Sequence, residues 1–300
     1  MPAPTGAQGA LALKRRAAQK TLVVNQAMRH GLIYVFLILG GVVTVFPLFW
    51  MVSTSLKTEA EANAPRVVWW AARPQLDAYI RVLTDRDWIF YLSNSIFVTA
   101  LAVGGTLISI AAVAYAFSRI EWPGRNLVFF LMLSTLMLPV QTTLVPQYVI
   151  FTRIKWVGTF NPITIPGFFA GSALYAFLLR EFMMTLPREM DEAAVMDGAS
   201  HLQIWWRIIL PLCKAPLAII SVFLFVQHWN SLQIPLIYLT RKSMHTLPIA
   251  IAAMRNPQMV EQPWPTIMAA SVVTVIPLLI AFFLTQRYVL ESIVLTGTKG

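Results

Sequence analysis

Residues 31–56 read GLIYVFLILGGVVTVFPLFWMVSTSL, a run with no Asp, Glu, Lys or Arg. From Leu32 to Leu39 it is apolar on every face, so it has neither the polar stripe of a surface helix nor the alternation of a half-buried strand. About 20 apolar residues cross ~30 Å of hydrocarbon as a helix. Lipid offers no solvent to exposed backbone groups, which makes a helix the only way for such a run to satisfy them. Working outward, five more charge-free runs follow, at 88–118, 126–152, 156–179, 215–240 and 262–286, and the shortest has 24 residues. The 23 Lys and Arg and 13 Asp and Glu all lie between the runs, at the density of an ordinary soluble protein. With 57% apolar and 12% charged residues overall, the chain is excluded as a soluble globular domain. The expected fold class is an all-α integral membrane protein with six transmembrane helices.

Lys14, Arg15, Arg16, Lys20 and Arg29 lead into the first run. Basic residues stay on the cytoplasmic side, which places the N-terminus there, and six spans return the C-terminus to the same side. The other connections are nearly balanced, so orientation rests on this cluster. The expected division is a cytoplasmic tail 1–30, its first 13 residues without fixed structure, a first transmembrane helix 31–56 and an extracytoplasmic connection 57–87. A core 88–287, with a cytoplasmic loop 187–211, and a cytoplasmic tail 288–300 complete it. Trp50, Trp88, Trp122, Trp156 and Trp264 fall at or near span ends, where indoles favour the headgroup layer. Pro47, Pro139, Pro146, Pro166, Pro235 and Pro277 predict kinked helices around a cavity, with neighbours re-satisfying the freed carbonyls.

The runs contain one imidazole, His228, and no other group of the kind that builds a proton relay or an ion-coupled motor, so any transport must be driven from elsewhere. No phosphate-binding loop, HExxH or GxSxG motif is present. Gly171-Ser172 is followed by Ala173 rather than the glycine a serine-nucleophile turn needs. Cys213 is the single cysteine, which excludes an internal disulfide and a Cys-based metal site. The net charge of +10 is read as loops meeting anionic lipid, not nucleic acid. The expectation is no catalytic residue, no metal and no cofactor on this chain.

The 180–214 connection is the most informative segment. Pro187 suits a first helical turn, and Glu189, Asp191 and Glu192 complement its positive end. Ala193 and Ala194 make a thin waist, and Gly198 ends the helix in the left-handed region. Ser200 and Gln203 form a capping box that starts a second helix through Trp205, Trp206 and Ile209 to Leu210-Pro211. On these features alone, such an elbow is equally a hairpin on the membrane surface and a lever between a soluble partner and the fifth span.

Glu192-Ala193-Ala194, Asp197-Gly198-Ala199, Ile208 and Leu210-Pro211 resemble the EAA loop of ABC importer membrane subunits. Other segments resemble the maltose-type carbohydrate permease family along nearly the whole chain. These are Phe46-Pro47-Leu48 with Ser53-Thr54-Ser55-Leu56-Lys57, Asn94-Ser95, Tyr115-Ala116-Phe117-Ser118-Arg119, and Leu138-Pro139-Val140-Gln141 to Pro146. They continue with Trp229-Asn230 and with the tail from Met268-Ala269-Ala270-Ser271 through Gln286-Arg287-Tyr288 to Leu295-Thr296-Gly297 and Lys299-Gly300. The chain is similar to the shorter, six-span subunit of that family. Ser231 stands where the family commonly has an acidic residue, and Trp206 where a basic one is frequent.

The resemblance implies a permease subunit of the cytoplasmic (inner) membrane that pairs with a second permease subunit as a heterodimer. It also implies two ABC ATPase subunits that carry Mg-ATP, an extracytoplasmic solute-binding protein and a sugar substrate. Glu192, Ala193, Ala194, Asp197, Gly198 and Pro211 would dock on an ATPase subunit; the 240–264 loop would touch the binding protein, and Thr296–Gly300 would reach the ATPases. Gln141, Gln147, Gln227, His228, Trp229 and Asn230 are the candidates for the substrate path, since planar polar groups and aromatic faces recognise sugars. Each is equally an interhelical hydrogen-bonding or anchoring residue. Glycerol phosphate or another polyol is the alternative cargo, though no span offers an anion a basic partner. A six-helix channel or scaffold without ATPase partners is the alternative of a different class.

Overall fold

The computed structural model describes the backbone of residues 6–169, 171–255, 258 and 261–297, and side chains from 29 to 287 within those limits. The Thr298–Gly300 end of the tail expected to reach the ATPases lies outside the described residues, as do the side chains of Lys14, Arg15, Arg16 and Lys20. The described residues are helical, with no strand.

Four helices are long and apolar enough to cross a membrane: 29–55, 86–119, 161–184 and 264–287. Two bent pairs, 125–153 and 201–229, bring the number to six if each pair is one span. Helix α1 (Gly6–Ser55) begins well before residue 31, so its backbone is helical through most of the segment expected to lack structure. After α2 (Asp77–Thr84), the next span is α3 (Arg86–Arg119), 34 residues with no proline. The third span is not one helix. It divides into α4 (Arg125–Ser134), a tight turn Thr135–Met137 and α5 (Val140–Arg153), bent by 102°. Pro139 holds Leu138 extended (φ −82°, ψ 119°), which ends the helix there.

The fourth span starts with two short turns, Asn161–Thr164 and Ile165–Phe168, before α6 (Ala173–Met184). These turns pack on the middle of α3 because Gly105 has no side chain: a Cβ there would lie 2.4 Å from the Phe168 ring. Ser172 caps α6 by accepting the Tyr175 N–H, a structural role for that hydroxyl. Helix α7 (Glu189–Met196) and the helical run 201–212 form the elbow, and a 79° bend leads into α8 (Lys214–Trp229). The fifth span stops at Asn230 and resumes only as the turn Gln233–Tyr238. Helix α9 (Leu247–Met254) and α10 (Trp264–Gly297) complete the chain, the last continuing helical beyond residue 288.

The core has an elbow end and an opposite, cap end. At the elbow end Ile110, Ala114, Leu179, Met183, Ala194, Ile204, Ile209 and Leu224 form one buried cluster. At the cap end Ala78, Val82, Trp88, Trp229, Leu247, Ala269 and Ala270 form another. The lipid-facing residues of α1, such as Phe36, Leu37 and Ile38, are exposed, as expected of a helix whose solvent is hydrocarbon. The Ser53-Thr54-Ser55 triplet is buried and fastens the cap: Ser53 Oγ bonds the Trp69 carbonyl, and Ser55 Oγ lies 2.7 Å from the Tyr79 hydroxyl.

Candidate functional site

Helix α7 is short because Gly198 stops it after two turns. Arg188 is its N-cap, so Pro187 lies outside the helix rather than in its first turn as expected. Glu189, Asp191 and Glu192 occupy that first turn. At the other end Gly198 has φ +81°. Its N–H bonds the Val195 carbonyl and the Ala199 N–H reaches the Ala194 carbonyl, both at 2.9 Å. These are the paired bonds of a left-handed helix stop, which only glycine adopts without strain. Two residues on, Ser200 and Gln203 make the expected reciprocal cap: Ser200 N–H to Gln203 Oε1 at 2.8 Å and Gln203 N–H to Ser200 Oγ at 3.4 Å.

The second helix changes pitch on the way out. His201–Ile204 is α-helical, but Trp205–Ile209 is a π turn in which the Leu210 N–H bonds the Trp205 carbonyl. Pro211 accounts for it: proline lacks the donor for the carbonyl four residues back and its ring crowds that carbonyl, so the turn widens. The Trp205 indole N–H donates to the Ala111 carbonyl at 3.3 Å, anchoring the turn to α3.

The expected docking residues divide between two faces. Glu192, Ala193, Asp197, Gly198 and Pro211 are exposed, whereas Ala194 points into the chain's own core at 7% exposure. The close approach expected of both alanines is therefore open at Ala193 only. Beside Trp206, the exposed side of the elbow carries apolar residues that the sequence analysis does not single out: Val195, Met196 and Leu202, with Met196 86% exposed. Met196 lies four residues after Glu192, on the same helix face, which was the available signal.

Arg119 was read only as the end of a span. Its side chain is 3% exposed and holds the elbow from inside. Nη1 donates to Asp191 Oδ2 at 2.9 Å, and Nη2 donates to the Leu186 carbonyl at 2.9 Å and to that of Met183. Just before it, the Phe117 carbonyl accepts from Arg180 Nε at 3.3 Å and Ser118 Oγ sits 3.6 Å from Met183 Sδ.

The substrate-path candidates are scattered. Gln141 and Gln147 are exposed on α5, just beyond the bend at Pro139. Helix α5 is attached through its far end, where the Tyr148 and Phe151 rings pack on Tyr238 at 5.9 and 5.5 Å. Gln227 and Asn230 are exposed and His228 half-buried at the break of the fifth span. Trp229 faces inward at 2% exposure, stacks on Phe225 and donates its indole N–H to the Thr274 carbonyl at 3.0 Å. That is a packing role, and this structure does not bring Trp229 to a shared surface with the glutamines.

At the cap end a cleft of about 270 Å³ is lined by Trp50, Thr54, Lys57, Glu61, Arg66 and Trp264 among others. Lys57 is 4% exposed; its ammonium donates to Thr54 Oγ1 at 3.3 Å and stands 4.2 Å over the Trp50 ring. Burial pushes its pKa down, with the Glu61 carboxylate opposing. Backbone N–H groups of Thr58 and Ala72 hold Glu61 below the ordinary carboxylate value. The charge-free runs concealed this cation because it lies just past the end of the first.

The segment that follows the fifth span is pinned to α3. Lys242 Nζ pairs with Asp87 at 2.6 Å. Asn94 Nδ2 donates to the Ser243 and His245 carbonyls at 2.9 and 3.0 Å, and Ser95 Oγ accepts the Leu247 N–H at 2.8 Å. The Asn94-Ser95 pair thus has a plain task.

Comparison with known proteins places this geometry. Residues 104–293 match the family described as "Binding-protein-dependent transport system inner membrane component". The chain is 30% identical to the trehalose/maltose transport system permease protein of Thermococcus litoralis over 92% of its length and 99% of that protein's. It is 31% identical to the sn-glycerol-3-phosphate transport system permease protein of Yersinia pestis bv. Antiqua, over 87% and 94%. Among solved structures, a bacterial ABC transporter involved in the import of the acidic polysaccharide alginate superposes with a TM-score of 0.75 at 23% identity, covering 96% of this chain and 99% of that one. That likeness shows the fold.

Proposed function

As this chain belongs to the family of binding-protein-dependent transport system inner membrane components, we propose that it is the membrane-spanning permease subunit of an ABC importer for a sugar or oligosaccharide. Mg-ATP is bound and hydrolysed on two partner ATPase subunits, and the chain itself carries no catalytic residue. A second permease subunit completes the translocation path, and a solute-binding protein delivers cargo to the cap end. The elbow end is cytoplasmic, with both termini on that side. The core is 88–287, the first helix 31–56, and 57–87 is the extracytoplasmic connection.

One observation carries this reading. The elbow has a glycine-fixed corner and a reciprocal cap on its second helix, and it exposes Met196, Val195, Leu202 and Trp206 together with Glu192 and Asp197. Exposed apolar residues ringed by charge mark a protein–protein contact, which a hairpin resting on a bilayer would bury in lipid instead. Met196→Asp and Glu192→Lys are expected to insert normally, lose co-purifying ATPase subunits and lose uptake. Retention of both ATPase and uptake in the two variants refutes the docking role, and a wild-type extract without any ATPase subunit favours a channel or scaffold.

A second reading of the cargo has its own support. Lys57 sits at the wall of the cap-end cleft with hydrogen-bonding capacity to spare, and one similar protein is named for an anionic substrate, sn-glycerol-3-phosphate. An anionic polyol or sugar would find its basic group there. Parallel uptake of radiolabelled maltose and glycerol 3-phosphate separates the two.

A further inference from the structure

We propose that α3 is a rigid rod joining the outer loop 242–247 to the coupling helix α7, and that Arg119 is the positioning residue fastening its inner end. The inference rests on the elbow being the ATPase contact and deepens that reading.

Three observations carry it. The first is continuity. α3 runs 34 residues, about 51 Å at 1.5 Å per residue, without proline or break. Each of the other spans has one or the other: Pro47 in α1, Pro277 in α10, the 102° and 79° bends, and the turns before α6. The second is the attachment at both ends. At the outer end Asp87, Asn94 and Ser95 hold the loop by four hydrogen bonds, each to a residue about 150 positions away in sequence. At the inner end Arg119 gathers the end of α6 and the first turn of α7 through the Met183 and Leu186 carbonyls and Asp191.

The third is the state of the Arg119–Asp191 joint. Arg119 Nε and Asp191 Oδ1 are both buried and make no hydrogen bond. The pair is held by one bond where the fork geometry of a guanidinium and a carboxylate allows two. A small rotation of α7 can add or exchange the second bond without releasing the first. The joint is thus closed with a second bond in reserve, and an elbow displaced by ATPase closure carries α3 and the outer loop with it. Conversely, a binding protein pressing on that loop acts on the elbow, as reciprocity of coupling requires.

The test uses the complete transporter in proteoliposomes, with Ser243→Cys in a Cys213→Ser chain as a reporter of the outer loop. Maleimide labelling is timed with and without Mg-ATP plus vanadate. The expected result is a labelling rate that changes about fivefold or more on nucleotide trapping in the parent, the low end of typical allosteric couplings. Arg119→Lys, which keeps the charge but not the fork, and Asn94→Ala are expected to abolish that change while ATPase subunits still co-purify. Asp191→Asn, which keeps the shape, guards against a misfolded Arg119 variant. The exposed pair Glu121–Arg188 serves as control, and Glu121→Gln should behave as parent. A nucleotide-dependent change that survives in the variants, or is missing from an assembled parent, overturns the rod. A parent that carries no ATPase subunit fails the proposed function instead.

Discussion

Gly198 offers the sharpest test of the elbow, because two explanations of its importance predict opposite orders of tolerance. Its φ of +81° costs an L-residue about 1–2 kcal/mol, and asparagine, whose side chain tolerates the left-handed region, less than alanine. A Cβ built on Gly198 meets nothing within 4 Å, so within this chain size is irrelevant and only φ counts. Gly198→Asn should therefore be nearly silent. Gly198→Ala should shift the ratio of set to frayed elbow by roughly 5- to 30-fold, the equivalent of 1–2 kcal/mol. Gly198→Pro combines an impossible φ with loss of the N–H that bonds the Val195 carbonyl, a cost of about 3 kcal/mol or more that should end uptake. The assay is initial uptake per membrane-inserted permease, with co-purifying ATPase measured on the same extracts. If the corner angle matters, uptake ranks Gly, Asn, Ala, Pro. If instead a partner surface rests on the glycine, the larger Asn does worse than Ala. That reversal would refute the backbone argument.

Trp229→Phe should keep uptake affinity unchanged and lower the thermal unfolding midpoint. The stack on Phe225 survives, whereas the buried Thr274 carbonyl loses its donor at a cost of about 1–3 kcal/mol; a raised KM with unchanged stability would return Trp229 to the substrate path. Lys57→Gln should leave maltose uptake intact and, if the cargo is anionic, raise the KM for glycerol 3-phosphate about tenfold, the equivalent of ~1.4 kcal/mol; no change with either substrate removes the cleft from the path. His245 gives a pH prediction. Burial and the nearby Lys242 ammonium hold its pKa below the ordinary 6.5, while the Tyr91 ring packs 6.4 Å away and Asp87 is engaged by Lys242. Because the unfolded chain takes up this proton more readily, the contribution is intact above the free value and is lost as pH falls below it. The thermal midpoint of wild type should drop relative to His245→Gln between about pH 7 and pH 5; parallel profiles would exclude His245.

What the sequence revealed follows from which forces act locally. Solvent matching does, and the first, second and sixth charge-free runs became helices at 29–55, 86–119 and 264–287. Capping does too, and Gly198, Ser200 and Gln203 are where their chemistry put them. The bends are half-local. Pro139 announces an interruption, but its 102° angle depends on packing, including the Tyr148 and Phe151 contacts with Tyr238. The fourth span's broken start depends on Gly105 admitting Phe168 from more than sixty residues away. Helix α7 divides its two alanines between core and surface, and the tripeptide alone does not say which faces which way.

Arg119 shows why the most consequential residue was the hardest to read. A charge at the end of an apolar run is the ordinary mark of a membrane boundary, and composition credits it with nothing more. In the fold it is buried in protein, not exposed to water, where an unpaired charge would be untenable. What keeps it there is a set of acceptors with no common sequence signal: the Met183 carbonyl in the last turn of α6, the Leu186 carbonyl just past it and one carboxylate on α7. Carbonyls in a helix's last turn lack their α-helical partner, and that of Met183 takes the guanidinium alongside the Leu186 N–H. Lysine has the charge but not the planar fork that reaches several acceptors at once, and its pKa falls readily on burial. The joint between α3 and the elbow thus depends on arginine chemistry at a point where the sequence reads only as a span boundary.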